Sequence, residues 1–305
     1  MVVKDEARIL PCCLDSVRDI AGEFIVIDTG SADQTPDIAR SYGARVIPFD
    51  FTKVDFAAAR NRAIEHAGKP WILMLDADEA LDSDTAGTLK GLLSQSENVG
   101  YFLERRNQAG NAQDFFTDHV VRLFPNRPHH RYRGRVHETI DASIVSGGGL
   151  LIKSEVRIDH QFRPDPESRR RKNLWYIEIL KEEIGENPDD DSRLDFLAAE
   201  YHQLEMFDEA TLVAEQIARS RPGDPRAHLF AGVYHLLYRP DLEQARADFQ
   251  RVLSLRPDYE EAKGFLRLLE EREQSSWPDT GPGTKQTRVS PAVTAPGTRR
   301  ETLSP

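Results

Sequence analysis

Asp76-Ala77-Asp78 closes the apolar run Trp71-Ile72-Leu73-Met74-Leu75, and Glu79 follows it. Residues two apart at a strand end project to the same side. Two carboxylates so placed suit a hard divalent cation, which in turn takes phosphate oxygens. Such a cation neutralises the charge that develops on a diphosphate leaving group. Asp is also frequent in polar turns after strands, so the setting matters: here three acidic residues end a buried apolar strand. Two other polar groups occupy comparable places. Lys4-Asp5-Glu6 follows Val2-Val3, and residues 28–33 follow the apolar run 24–27.

The elements that position these groups are legible from periodicity. Val2-Val3 reads as the end of a strand, and Leu10, Leu14 and Val17 recur at helical spacing. Residues 24–28 read as a strand, a continuous apolar run closed by Asp28, as in a strand buried on both faces. Ser31 is the expected N-cap of the next helix, which ends near Gly43. Residues 44–47 predict a strand, 55–67 a helix that stops at Gly68, and 71–75 a third buried strand. Strands alternating with helices predict a parallel sheet with helices on both faces. Ligands of such sheets bind beyond the carboxyl ends of the strands, where all three polar groups fall. The first strand has almost no residues before Lys4; either the chain starts several residues upstream or the sheet edge is short.

Residues 99–105, 120–124 and 150–158 read as strands, with a Gly147-Gly148-Gly149 turn before the last. Residues 125–135 read as a loop; its basic, aromatic stretch His129-His130-Arg131-Tyr132-Arg133 suits anionic ligands but by default is solvated. Residues 163–167, with two prolines, read as a hinge. Beyond it the chain is helical. Tyr201 and Tyr234 are 33 apart and Pro222 and Pro257 are 35 apart, a period that fits the two-helix tetratricopeptide unit. Leu197, Ala198, Tyr201, Ala210 and Pro222 mark one unit; Phe230, Ala231, Tyr234, Ala245 and Pro257 mark a second, and 259–273 a closing helix. Three repeats are the usual minimum for independent stability, so two plus a cap are expected to lean on the first domain or on a second copy. The expected domains are 1–165, 166–274 and a disordered Pro-, Gly-, Thr- and Ser-rich tail, 275–305.

Composition narrows the class. Hydrophobic residues make up 39% and charged residues 30% of 305, as in soluble globular proteins. No run approaches the eighteen or more apolar residues of a membrane span, and the first residues lack a signal peptide's apolar core. Cys12 and Cys13 are the only cysteines. Adjacent cysteines bridge only with strain, so a reduced, cytoplasmic compartment is expected, with the inner membrane surface compatible. Both are read as helix-face packing residues. A net charge of −11 speaks against nucleic acid as a partner.

Several stretches, in order, resemble glycosyltransferase family 2. Val3-Lys4-Asp5-Glu6 with Leu10-Pro11-Cys12-Cys13-Leu14-Asp15-Ser16-Val17 resembles its opening, and Ile27 to Thr35 resembles V-D-x-G-S-x-D-x-T. Asp55-Phe56-Ala57-Ala58-Ala59-Arg60-Asn61 is similar to D-F-[SA]-x-A-R-N, and Trp71 to Glu79 to W-[IV]-L-x-L-D-A-D-E. Arg122-Leu123-Phe124-Pro125-Asn126 and Gly134-Arg135-Val136-His137-Glu138 resemble a subgroup holding bacterial lipopolysaccharide-core glucosyltransferases and peptide S-glycosyltransferases with helical tails. The resemblance implies an α/β GT-A catalytic domain with a mostly parallel sheet flanked by helices, followed by an all-α tetratricopeptide-like domain. It implies inverting transfer from a nucleotide sugar, a UDP-sugar, to a glycan, lipid-linked glycan or peptide, assisted by Mn²⁺ or Mg²⁺.

The resemblance also implies residue roles. Lys4 and Glu6 would border the donor; Asp28 would read the base; Arg60 would face the diphosphate; Asp76 would lie near the ribose and on the metal; Asp78 would hold the metal. His160, in Ile158-Asp159-His160-Gln161-Phe162, would bind metal or close over the diphosphate. The acceptor must lose a proton as it attacks, and a carboxylate or imidazole supplies the base; His137-Glu138 is the candidate pair, Glu138 foremost. The family's common Glu-Asp base motif is not evident here. Two other readings stay open: a sugar-nucleotide pyrophosphorylase, which would need a Gly-rich loop where this chain has no glycine until Gly22, and a catalytically inactive tetratricopeptide-type scaffold.

Overall fold

The computed structural model describes residues 1–94, 98–108, 115–161 and 165–274. The expected hinge at 163–167 lies partly, and the expected disordered tail wholly, outside them. The chain divides into two compact units, Met1–Asp165 and Pro166–Pro305.

The first unit opens with β1 (Val2–Val3), α1 (Leu10–Ser16), β2 (Ile25–Asp28), α2 (Thr35–Ser41), β3 (Arg45–Pro48) and α3 (Phe56–His66). The strands make a parallel three-stranded sheet in the order β1-β2-β3, with Val2 opposite Ile27 and Ile25 opposite Arg45. Val26 and Ile27 are fully buried, as the apolar run predicts. Asp55 caps α3 by accepting the Ala58 N–H at 2.7 Å, which satisfies one of the unpaired amides of the first turn. Ser31, expected to cap α2, does not. Gly30, at φ 100°, turns the chain so that the Ser31 hydroxyl donates to Asp28 Oδ1 at 2.6 Å. The helix starts four residues later, where Asp33 Oδ1 accepts the Thr35 N–H at 2.8 Å.

β4 (Trp71–Leu73), β5 (Glu79–Leu81), α4 (Ala86–Leu93), β6 (Val99–Gln108), β7 (Phe115–Pro125), α5 (Asp141–Ser146) and β8 (Leu150–His160) follow. They form a five-stranded mixed sheet in the order β4-β7-β6-β8-β5, in which only β6 and β8 run parallel. The ladder of β4 is therefore shared with β7, and Met74 N–H continues it to Arg122 O at 2.8 Å. The loop after β7 is not solvated throughout: His130 is 0% and Tyr132 5% exposed, both edge-on to Phe124. An apolar cavity of about 430 Å³, lined by Phe24, Ile25, Ala63, Trp71 and Leu89, holds none of the candidate site residues.

The second unit is all α: α6 (Pro166–Glu186), α7 (Leu194–Gln203), α8 (Phe207–Ser220), α9 (Pro225–Leu237), α10 (Leu242–Leu255) and α11 (Glu260–Gln274). Each helix packs on the next in sequence, the arrangement of a tetratricopeptide-like array. Leu197, Ala198, Ala210, Phe230, Ala231, Tyr234 and Ala245 are buried, as the repeat spacing predicts. Gly232 lets α9 approach α10 closely; a Cβ there would lie 2.8 Å from the Phe249 ring.

Candidate functional site

The acidic turn after β4 is tied to itself. Asp76 N–H donates to Glu79 Oε2 and Glu79 N–H donates to Asp76 O, each at 3.0 Å. Buried Cys13, from α1, donates its thiol to the same Asp76 carbonyl at 3.4 Å. Burial pushes that thiol well above its ordinary value, so it packs and does not react. Cys12, expected to pack as well, is exposed.

Two buried guanidinium groups meet the turn. Arg60, on α3, donates from Nη2 to Asp76 Oδ1 at 2.8 Å and from Nε to Glu138 Oε1 at 2.5 Å. Arg122, on β7, donates from Nη2 to Asp76 Oδ2 at 2.5 Å and to Glu79 Oε1 at 2.6 Å. Burial alone would raise the Asp76 carboxyl, but Arg122 and Arg60 outweigh it and hold Asp76 well below the usual carboxylate range. The same attraction, from Asp76 and Glu138, keeps Arg60 charged against the opposing effect of burial. The Tyr132 ring lies 5.4 Å from the Arg60 guanidinium carbon. Among the described residues, Arg60 Nη1, Arg122 Nε and Tyr132 Oη are buried without a hydrogen-bond partner, so the cluster has unused donors.

Asp78 belongs to a different set. Its carbonyl accepts the Gln161 N–H at 2.8 Å, and its Oδ2 lies 3.0 Å from His160 Nε2. Strand pairing explains the meeting: β5 and β8 place Glu79 opposite His160. Two cis ligands at about 2.1 Å from an octahedral cation are themselves about 3.0 Å apart, so the pair fits two positions of such a cation. Among the described residues, no group of three or more His, Cys, Asp or Glu side chains is arranged to hold a metal; further ligands would come from diphosphate and water.

The remaining candidates are Glu6, Lys4, Asp28 and His137. Glu6 gives its N–H to Thr35 Oγ1 at 2.7 Å. Burial, then the charges of Asp78, Asp33 and Asp5, pushes its carboxyl up to about 7. Asp5 stands at φ 56°, a left-handed turn held by Ser31 Oγ and by the Ala32 N–H on Asp5 Oδ1. Asp28 accepts from Ser31 N–H and hydroxyl through Oδ1. Lys4 is exposed. His137 adopts φ 49°, which turns the chain just before Glu138 reaches Arg60.

The structure thus brings together Arg60, Asp76 and Glu138, and separately Asp78 and His160. Asp76, expected on the ribose and the metal, has each oxygen on a guanidinium. Arg122 was quoted only for the resemblance, Glu79 only as the third acidic residue of the strand end and Tyr132 only within the basic, aromatic loop; Asn107 and Asp118 were not singled out at all. Arg122 carried a signal, being the one charged residue in the apolar stretch 120–125. Asn107 and Asp118 carried none.

Comparison with known proteins places the first unit in a family. The family model described as "Glycosyl transferase family 2" matches residues 1–159. A "TPR repeat-containing protein" of Synechococcus elongatus is 44% identical over 147 residues, covering 48% of this chain and 36% of its own. The "SPbeta prophage-derived glycosyltransferase SunS" of Bacillus subtilis is 26% identical over 216 residues, 69% of this chain and 50% of its own. The chain spans half or less of the length of these curated relatives. The crystal structure of S. aureus TarS 1-349 covers 85% of this chain and 90% of its own at 14% identity and a TM-score of 0.47.

Proposed function

Because the chain belongs to glycosyl transferase family 2, we propose that it moves a sugar from a nucleoside diphosphate sugar, a UDP-sugar, to an acceptor with inversion. The observation that carries this reading is the meeting of Arg60, Asp76, Glu79, Arg122 and Glu138 around the turn after β4, next in sequence to Asp78, which pairs with His160. Relatives named glycosyltransferases support it.

In this reading Asp28, whose Oδ1 already accepts from Ser31, also accepts the imide N–H of the base, and a base lacking that donor forgoes the bond, which costs affinity. Glu6 and Lys4 border the donor. Asp78 and His160 hold a divalent cation, Mn²⁺ or Mg²⁺, which offsets the charge of the leaving diphosphate. Asp76 does not join them; clamped between Arg60 and Arg122, it fixes the turn that presents Asp78. Glu138 keeps Oε1 on Arg60 and offers Oε2 to the acceptor proton, with His137 beside it in sequence. One base on the face opposite the leaving group suffices for direct displacement, whereas retention through a covalent intermediate requires a second placed nucleophile.

The helical unit takes the acceptor, a glycan, lipid-linked glycan or peptide, or a second copy of the chain. No helix among the described residues is long and apolar enough to cross a membrane, and we place the reaction in the cytoplasm or at the inner membrane surface.

Calorimetry with UDP, GDP and CDP in the presence of Mn²⁺ tests the donor. UDP should bind most tightly; equal or tighter binding of CDP, whose base has no ring N–H, refutes the base-reading role of Asp28, and equal or tighter GDP binding refutes the UDP-sugar donor. An α-linked product from an α-configured donor, seen in the anomeric proton signal, refutes inversion.

A further inference from the structure

Behind His160 runs a chain of side chains that the proposed reaction does not itself use. His160 Nδ1 lies 2.9 Å from Asn107 Oδ1. The Asn107 amide is turned by two acceptors: its Nδ2 donates to Asp118 Oδ1 at 3.1 Å and to Arg105 O at 3.4 Å. Asp118 is gripped in turn by the Arg105 fork, with Nε to Oδ1 at 3.0 Å and Nη2 to Oδ2 at 2.6 Å. The sheet builds this line. β6 places Asn107 opposite His160 on β8 and Arg105 opposite Asp118 on β7. Asn107 is 6% exposed, so water does not compete for its amide.

We propose that Asn107, held by Asp118, is a positioning residue that decides which nitrogen of His160 is offered to a divalent cation beside Asp78. The inference rests on the metal-assisted reading above. An amide has one acceptor and one donor end. With both carboxylate and carbonyl oxygens drawing the Nδ2 end, the Oδ1 end faces His160. An acceptor oxygen at 2.9 Å requires the hydrogen on Nδ1. With the hydrogen on Nδ1, Nε2, the atom 3.0 Å from Asp78 Oδ2, is the nitrogen left to offer its lone pair to a cation beside that carboxylate. A ring torsion of this kind has broad, two-fold wells, so without the Asn107 oxygen nothing in this line holds either the tautomer or the ring angle. An outer partner that fixes a ligand ring raises metal affinity without touching the metal.

The test uses the full chain and Mn²⁺, titrated alone and with UDP, with bound and free Mn²⁺ followed by electron paramagnetic resonance. Asn107→Leu should weaken Mn²⁺ binding by about 10- to 100-fold and abolish the nitrogen hyperfine coupling of a ligated imidazole. The exchange variant, Asn107→Asp with Asp118→Asn, keeps an acceptor toward His160 and a donor between positions 107 and 118. It should restore the coupling and bring affinity back to within about threefold of the wild type. Circular dichroism confirms that each variant is folded. Wild-type affinity and coupling in Asn107→Leu overturn the proposal, as does a folded exchange variant that behaves like Asn107→Leu. Mn²⁺ binding by the wild type without nitrogen coupling removes His160 from the metal and overturns the proposal while the reading of Asp78 stands. A wild type that binds no Mn²⁺ refutes the metal-assisted reading and this inference together.

Discussion

Arg60 Nε donates to Glu138 Oε1 at 2.5 Å across 78 positions of sequence. The contact joins the residue expected on the diphosphate to the residue expected to act as base. It gives Glu138→Gln two separable outcomes. As the base, Glu138 acts on the acceptor, so kcat should fall by about 100-fold or more while UDP-sugar affinity changes little. Unchanged kcat with weakened donor binding would show instead that Glu138 serves only to hold Arg60. Steady-state kinetics and donor calorimetry on one preparation distinguish the two.

Arg122 is 7% exposed and serves two carboxylates, one of them on Glu79, which is 1% exposed. Arg122→Leu leaves buried Glu79 with only the longer 3.4 Å contact from Arg105 Nη1, and half-buried Asp76 with Arg60 alone. Breaking a buried ion pair from one side costs about 3–5 kcal/mol, and urea unfolding of the first unit should show a loss of that order. A loss under about 1 kcal/mol would mean that water, or Arg105 for Glu79 and Arg60 for Asp76, takes over the pairing.

Asp78→Asn retains shape and removes charge at the proposed cation position. Turnover should fall by at least roughly 100-fold, as for other losses of a charge-stabilising group, and the response to added Mn²⁺ should weaken in parallel. Full activity of the wild type in excess chelator would remove the cation from the reaction.

His235, in α9, is buried between Asp248 on α10, 2.9 Å from Nδ1, and Glu215 on α8, 3.1 Å from Nε2, with Arg239 3.8 Å from Glu215. The Asp248 hydrogen bond raises its value above the ordinary one; burial opposes this, and Glu215 adds to the rise. A raised folded value means stability that is fully present below about 6.5, the unfolded value, and lost as pH rises through the folded value. The melting temperature of the wild type minus that of His235→Gln should therefore shrink as pH rises above about 6.5. Other groups titrate nearby, Glu6 among them, but they cancel in the difference. A difference that stays level or grows with pH contradicts the account.

The amino-acid sequence by itself determined the local elements. Apolar runs and 3.6-residue spacing marked β2, β4 and α3, Asp55 marked the start of α3, and the Tyr201–Tyr234 period marked the helical array, because propensity, capping and amphipathicity act over a few residues. It also marked Asp76 and Asp78 as a strand-end pair. Tertiary structure alone decided their partners. Asp76 and Asp78 are two apart, yet one faces Arg60 and Arg122 and the other faces His160. That division follows from β4 pairing with β7 and β5 pairing with β8, long-range ladders that no local spacing encodes. The same holds for Ser31, drawn to Asp28 rather than to a helix end, and for His130 and Tyr132, polar by sequence and buried by Phe124. A charged or polar side chain takes its role from what surrounds it in space, since burial multiplies the worth of each partner and the cost of lacking one. For Asp76 and Asp78 those partners lie 16, 46 and 82 positions away in the sequence.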